Sequence, residues 1–271
     1  ALPILLSVFA TCDAAFSKDP SDNFSSLLAN ALQDEDAIEK ARSLREGMQQ
    51  MFNSRAIAPR RPPSNQQISD DAINMIVGFE VSSKAAYERK YRGAIWPRGR
   101  SGVTCGIGYD VGYVTRAWLR EDWHGVIPNE MIATLELACQ VTGLNARALL
   151  PRMTSVDIPW DQAMRQFRTT AAPRYAAEVI RAVPNATKLS PDSFGALVSL
   201  VYNRGASFRN RGNRYVEMRN IHRHMATENY VNIPKEFLDM RRIWEGDPDA
   251  AGLLKRRELE AALFKRGLRS A

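Results

Sequence analysis

Two carboxylates and a hydroxyl carry the chemistry that this chain suggests. Glu80 closes the stretch Asp70-Asp71-Ala72-Ile73-Asn74-Met75-Ile76-Val77-Gly78-Phe79-Glu80, in which Ile73, Ile76 and Val77 recur at helical spacing. Position i+7 from Ile73 continues that apolar stripe, and Glu80 occupies it. Burial disfavours the charged form of a carboxylate, and an acid that keeps its proton near neutral pH can act as a general acid. If the helix instead stops at Gly78, Glu80 points into solvent and has no such role.

Downstream, Gly102-Val103-Thr104-Cys105-Gly106-Ile107-Gly108-Tyr109-Asp110-Val111-Gly112 is β-prone and punctuated by glycine. Glycines here permit close backbone approach by a ligand or another strand. An acid at the end of a buried helix and a hydroxyl/carboxylate pair on a β-turn can face each other across a cleft. Glycoside hydrolysis uses that arrangement, with one group protonating the leaving oxygen and the other activating water on the opposite face.

These segments resemble the phage-type lysozymes, in which a helix ending in an acid leads into a small sheet carrying T-x-G-x-G. The resemblance is closest to the pesticin-type muramidases, whose aspartate follows the threonine. It implies Glu80, Thr104 and Asp110 as the catalytic residues. In many phage lysozymes the aspartate precedes the threonine. No Asp lies between Glu80 and Thr104 here, and Glu88 is the only acid in that interval, which makes it the rival. Ser193-Phe194-Gly195-Ala196-Leu197-Val198-Ser199-Leu200-Val201-Tyr202-Asn203-Arg204-Gly205 is similar to the family's central helix. Ala251-Gly252-Leu253-Leu254-Lys255-Arg256-Arg257-Glu258-Leu259-Glu260 is similar to its C-terminal signature. The resemblance implies a mostly helical α+β, lysozyme-like fold with two lobes around a cleft and a small β-sheet in the N-terminal lobe. It also implies a muramidase that inverts configuration and needs no metal or cofactor.

Asn203 and Arg204 end the central helix. Their planar polar groups suit sugar hydroxyls, N-acetyl groups or the Glu80 carboxyl, and helix capping is the competing role. Tyr109 stands with them as a substrate-binding candidate. Arg256 and Arg257 can form a solvated basic face; the resemblance implies that one of them orients an acid or supports the interlobe cleft. His222-x-His224 lacks further clustered ligands, so no zinc site is expected. Phe208-Arg209-Asn210-Arg211-Gly212-Asn213-Arg214-Tyr215 suits a glycan rim as well as nucleic acid, but no nucleic-acid-binding signature accompanies it.

The chain has 271 residues and a net charge of +7. Residues 1–60 hold 6 basic and 8 acidic groups, so the excess of positive charge lies in the remainder. A basic catalytic region suits a polyanionic target such as bacterial peptidoglycan. Leu2–Ala10 is apolar but lacks a preceding Lys or Arg, which favours a buried helix over a cleavable signal, and no apolar run reaches the length of a membrane span. Residues 21–53 show helical periodicity with a break at Asp34-Glu35-Asp36, and Arg60-Arg61-Pro62-Pro63 reads as a linker. The expected organisation is an N-terminal helical segment over 1–63 and a lysozyme-like catalytic domain over 64–271. The segment is either a delivery or docking element or an arm packed on the domain.

Cys12, Cys105 and Cys139 are odd in number, with Cys105 and Cys139 expected in the core. The expected place of action is the bacterial periplasm or cell wall. The biological roles compatible with such an enzyme are an antibacterial effector or toxin, with a delivery system or immunity protein as partner, and a phage endolysin. A basic nucleic-acid-binding protein and a non-catalytic wall-binding module are the competing classes.

Overall fold

The computed structural model describes residues 23–42, 44 and 62–269. The expectations for Leu2–Ala10 and Cys12, for residues 45–53 of the periodic stretch and for Arg60 and Arg61 of the linker lie outside them. Helices α1 (Phe24–Leu32) and α2 (Glu35–Arg42) are separated at Asp34, whose carboxylate accepts the Ala37 amide at 3.0 Å and starts α2. Helix α3 (Asp70–Val81) begins at Ser69, whose hydroxyl accepts the Ala72 amide at 3.2 Å. Asp70 and Asp71 add favourable charge to its first turn. Gly78 does not end α3. A Cβ there would lie 2.5 Å from Leu32 Cδ1, so this glycine lets α1 approach closely.

The segment over 87–114 holds little sheet. Its start belongs to helix α4 (Lys84–Lys90), capped by Ser83, because a side-chain acceptor sits just ahead of a run of good helix formers. The sheet itself is two short antiparallel strands, β1 (Thr104–Cys105) and β2 (Tyr109–Asp110), with Thr104 opposite Asp110 and Cys105 opposite Tyr109. An isolated bridge joins Ile95 to Thr104. Arg98, Gly99 and Arg100 form an exposed tip. Gly102 lies so close to Gly112 that a Cβ on it would sit 2.4 Å from the Gly112 backbone.

The rest is helical: α5 (Arg116–Trp123), α6 (Asn129–Glu136), α7 (Gly143–Leu149), α8 (Trp160–Gln166), α9 (Ala172–Ala182), α10 (Pro191–Arg204), α11 (Val216–Ala226), α12 (Ile233–Asp239) and α13 (Ala251–Arg269). The apolar spacing after Asn129 predicts a helix capped by Asn129 and running to Val141; instead Asn129 is the first residue of α6, which ends at Glu136. The chain turns there through Gln140 at positive φ so that Thr142 can bridge to Gly102. The helix from Trp160 does not run regularly through Thr170 either. A π-helical turn over Phe167–Ala171 intervenes, next to Pro173, whose nitrogen has no hydrogen to donate.

Helix α10 is the hub of the fold. Ser190 and Pro191 start it, Gly205 ends it at φ 73°, and every residue from Ser193 to Arg204 is buried. It packs on α13, α9 and α3. Phe24, Leu28, Ile38 and Ala41 of α1 and α2 belong to the same continuous apolar core. Among the described residues, no helix is long and apolar enough to cross a membrane.

Candidate active site

Glu80 lies in the last turn of α3 and is only 2% exposed. Arg256 of α13, equally buried, donates through Nη1 to Glu80 Oε1 at 3.3 Å. Its guanidinium is held from behind by the Ser199 hydroxyl and the Ser199 carbonyl, both at 3.1 Å, and by Glu260 Oε1 at 3.4 Å. Glu260 is fully buried and also accepts from Ser199 Oγ at 2.6 Å and Arg257 Nη2 at 2.9 Å. Arg257 reaches on to Asn203 Oδ1 at 3.2 Å. Two guanidiniums and two carboxylates from α3 and α13, with Ser199 and Asn203 of α10, therefore share one buried network. Buried charges persist when paired and hydrogen-bonded in this way. Burial pushes the Glu260 carboxyl up, against the pull of Arg257 and Arg256.

The backbone carbonyl of Glu80 accepts from Arg42 of α2, whose guanidinium lies 4.3 Å from the centre of the Tyr91 ring. Between them a pocket of about 10 Å³ is lined by Ala41, Arg42, Glu80, Asn203, Gly252 and Arg256. Beyond Arg42 a larger cleft of about 590 Å³ runs between α2, Lys90 and Tyr91, the Ile95–Arg98 segment, and Asp249 before α13.

Thr104 and Asp110 face each other across β1 and β2. Both Asp110 oxygens accept from the Gly102 amide, at 3.0 and 3.1 Å, and Oδ1 also accepts from Gly112 at 2.9 Å. These bonds clamp the glycine-rich turn and fix the carboxylate. The Thr104 hydroxyl donates to the Gly102 carbonyl at 3.4 Å. The Thr104 backbone pairs with Ile95, which lines the larger cleft, so β1 is joined directly to the cleft wall.

Asn203 lines the Glu80 pocket. Arg204 is buried on the other side of the helix end, over Tyr215 and Trp244 at 5.5 and 5.3 Å, and donates to the Arg214 carbonyl at 3.1 Å. The Tyr109 hydroxyl donates to Asp122 at 2.8 Å, and Arg174 holds the other oxygen of Asp122 at 2.9 Å. The rival acid Glu88 has structural work: it pairs with Arg92 at 3.2 Å and accepts the Trp160 amide at 3.3 Å at the start of α8.

Cys105 is buried in β1, and burial pushes its thiol far above the ordinary range. Cys139 is half-buried rather than in the core, and burial pushes its thiol up to about 11. Among the described residues no cluster of His, Cys, Asp and Glu could hold a metal ion.

Arg42 is the site residue that the sequence did not single out; Ser199 and Glu260 stand in the two segments similar to the family's central helix and C-terminal signature, but no role was assigned to them. The spacing of Arg256, Arg257 and Glu260 carried a signal, because i,i+4 and i,i+3 pairs share a helix face. Arg42 carried none, since nothing local tells which distant carbonyl a helix-terminal arginine will meet.

Residues 143–260 match the family model described as phage lysozyme. The match covers α10 and most of α13, hence Ser199, Asn203, Arg256, Arg257 and Glu260, and supports peptidoglycan hydrolysis; Glu80, Thr104 and Asp110 precede it. No curated protein matches the chain.

Proposed function

We propose that this chain, whose residues 143–260 match the phage lysozyme family model, is a muramidase that cleaves the β-1,4 bond between N-acetylmuramic acid and N-acetylglucosamine in bacterial peptidoglycan. The observation that carries this reading is the burial of Glu80 at a helix end, against an arginine supplied by the lysozyme-matching region. Glu80 is the general acid that protonates the leaving glycosidic oxygen. Arg256 positions its carboxyl. Asp110, held by the Gly102 and Gly112 amides, deprotonates or orients the attacking water, and Thr104 helps to place it. Water attacks the face opposite the leaving group, so the anomeric configuration inverts and no glycosyl-enzyme forms. Asn203, beside Glu80, is the substrate-binding residue that the geometry favours most.

The role that fits this activity is an antibacterial effector or toxin acting at the cell wall or in the periplasm, with residues 1–63 serving the arm or delivery function and 64–271 the chemistry. Its charge supports a wall target, because the basic excess lies in the catalytic part. Purified protein incubated with peptidoglycan should release muropeptides with new reducing ends on N-acetylmuramic acid and with the inverted anomer formed first. Release of free amino groups instead of reducing ends refutes the bond assignment. Retention of configuration refutes the mechanism.

A further inference from the structure

A general acid must come within about 2.6–3.2 Å of the oxygen that it protonates. Glu80 is 2% exposed, and the pocket at its side chain measures about 10 Å³. That is about the room of a single water, and no sugar ring enters it. Two of the residues that close it, Ala41 and Arg42, come from α2, while the neighbouring cleft of about 590 Å³ is ample and has α2 as one wall.

We infer that α1 and α2 form an autoinhibitory strap across the cleft, and that Glu80 reaches its substrate only when α2 is displaced. The inference rests on Glu80 being the general acid. Its physical basis is the way the strap is attached. The surface below is shaped for it: a Cβ on Gly252 would lie 2.7 Å from the Ala37 carbonyl oxygen and 2.9 Å from Ala41 Cβ, and Gly78 makes the same allowance for Leu32. Phe24, Leu28, Ile38 and Ala41 anchor it in the core. Arg42 closes it, bonded to the Glu80 carbonyl and stacked on Tyr91. The outer edge is held differently. Acidic residues of the strap meet basic residues of the body in Glu35–Arg89 at 2.8 Å, Glu39–Lys90 at 3.1 Å and Asp34–Lys255 at 3.3 Å. These pairs are partly exposed, so each is weak and sensitive to salt. A strap with a seated inner face and a loose charged edge suits release by a competing polyanion, such as the wall itself, drawn to the same lysines and arginines.

The test uses the full-length chain. Glu35→Lys/Glu39→Lys and Arg89→Glu/Lys90→Glu break the same edge with opposite changes in net charge, and the fourfold combination restores it with signs exchanged. Gly252→Ala lifts α2 by a steric route that leaves charge unchanged. Three readouts are followed: hydrogen exchange of the α2 amides, carbodiimide coupling of glycine ethyl ester to Glu80 mapped by mass spectrometry, and release of reducing ends from peptidoglycan. All three should rise about three- to tenfold in each opened variant, the range that weak ion pairs control. They should return toward wild type in the fourfold variant. The strap is refuted if Glu80 in the wild type couples as fast as the exposed Glu245, or if the opened variants leave both exchange and coupling unchanged. If exchange and coupling rise while no protein form releases reducing ends, the strap stands and the catalytic assignment of Glu80 falls.

Discussion

Replacing Glu80 by Gln separates a catalytic acid from a structural one, because the two roles predict opposite pairs of results. The side chain keeps its volume and an oxygen toward Arg256 but loses the proton to be donated. Loss of a general acid lowers turnover by about 10²–10⁴-fold, or about 2.7–5.4 kcal/mol in activation free energy. The expected change in stability is small, and the network shows why. Removing one partner of a buried ion pair costs about 3–5 kcal/mol when the remaining charge is left uncompensated. Arg256 is not left so: it keeps the Ser199 hydroxyl, the Ser199 carbonyl and Glu260. The contact that is weakened spans 3.3 Å, long for a charge-assisted bond. The net should stay within about 1 kcal/mol, which for a protein of this size moves Tm by about 2–4 °C.

Turnover is measured as reducing ends released from peptidoglycan, in the wild type and in the Gly252→Ala background, so that strap opening does not limit the comparison. Thermal melts are run on the same samples. A loss of turnover below threefold in the opened background refutes Glu80 as the acid. A fall in Tm of 10 °C or more, roughly 3 kcal/mol or above, refutes the claim that Arg256 is held independently of Glu80.

Asp110→Asn should lower turnover by a factor comparable to Glu80→Gln and also lower Tm by a few degrees, because the Gly102 and Gly112 amides exchange a charged acceptor for a neutral one; Glu88→Gln, changing an acid that binds Arg92 and the Trp160 amide, should keep most of the turnover, and the reverse ranking would overturn the choice of second carboxylate. Glu260→Gln should be the most destabilising of these changes, by about 3–5 kcal/mol, since it removes the buried carboxylate that Arg256 and Arg257 share; an unchanged melt would show that the network does not hold the fold. Iodoacetamide at pH 8 followed by peptide mapping should modify Cys139 slowly and Cys105 only as fast as the protein unfolds, because burial raises both thiols and encloses Cys105; rapid alkylation of Cys105 would place β1 at the surface.

The parts of this site that were legible in the sequence are those fixed by local periodicity. The apolar stripe of α3 put Glu80 in the interior, and the cap-plus-proline start and terminal glycine delimited α10. Gly78 was ambiguous on the same grounds, because a glycine placed to end a helix and one placed to admit another helix look alike. Only the approach of Leu32 from α1 decides between them. The end of α6 and the π-helical turn before α9 depended on a bridge to Gly102 and on accommodating Pro173, neither of which a helical stripe reports.

Distance along the chain separates the legible from the hidden in the site itself. Glu80 is buried by Arg256, 176 residues ahead of it, and by Arg42, 38 residues behind it. The resemblance to lysozymes raised the prospect that Arg256 or Arg257 orients an acid, and the helix repeat explains how Glu260 supports both. No comparable pattern pointed to α2, whose acidic edge reads from sequence as an ordinary solvated face and in the fold is matched against Arg89, Lys90 and Lys255. The burial that makes Glu80 attractive as a general acid is supplied in part by a segment that must leave before a glycan can reach it. Burial in this state and accessibility during catalysis are therefore properties of two conformations. The network of Arg256, Arg257, Glu260 and Ser199, which does not include the strap, is what keeps the Glu80 carboxyl in place in both.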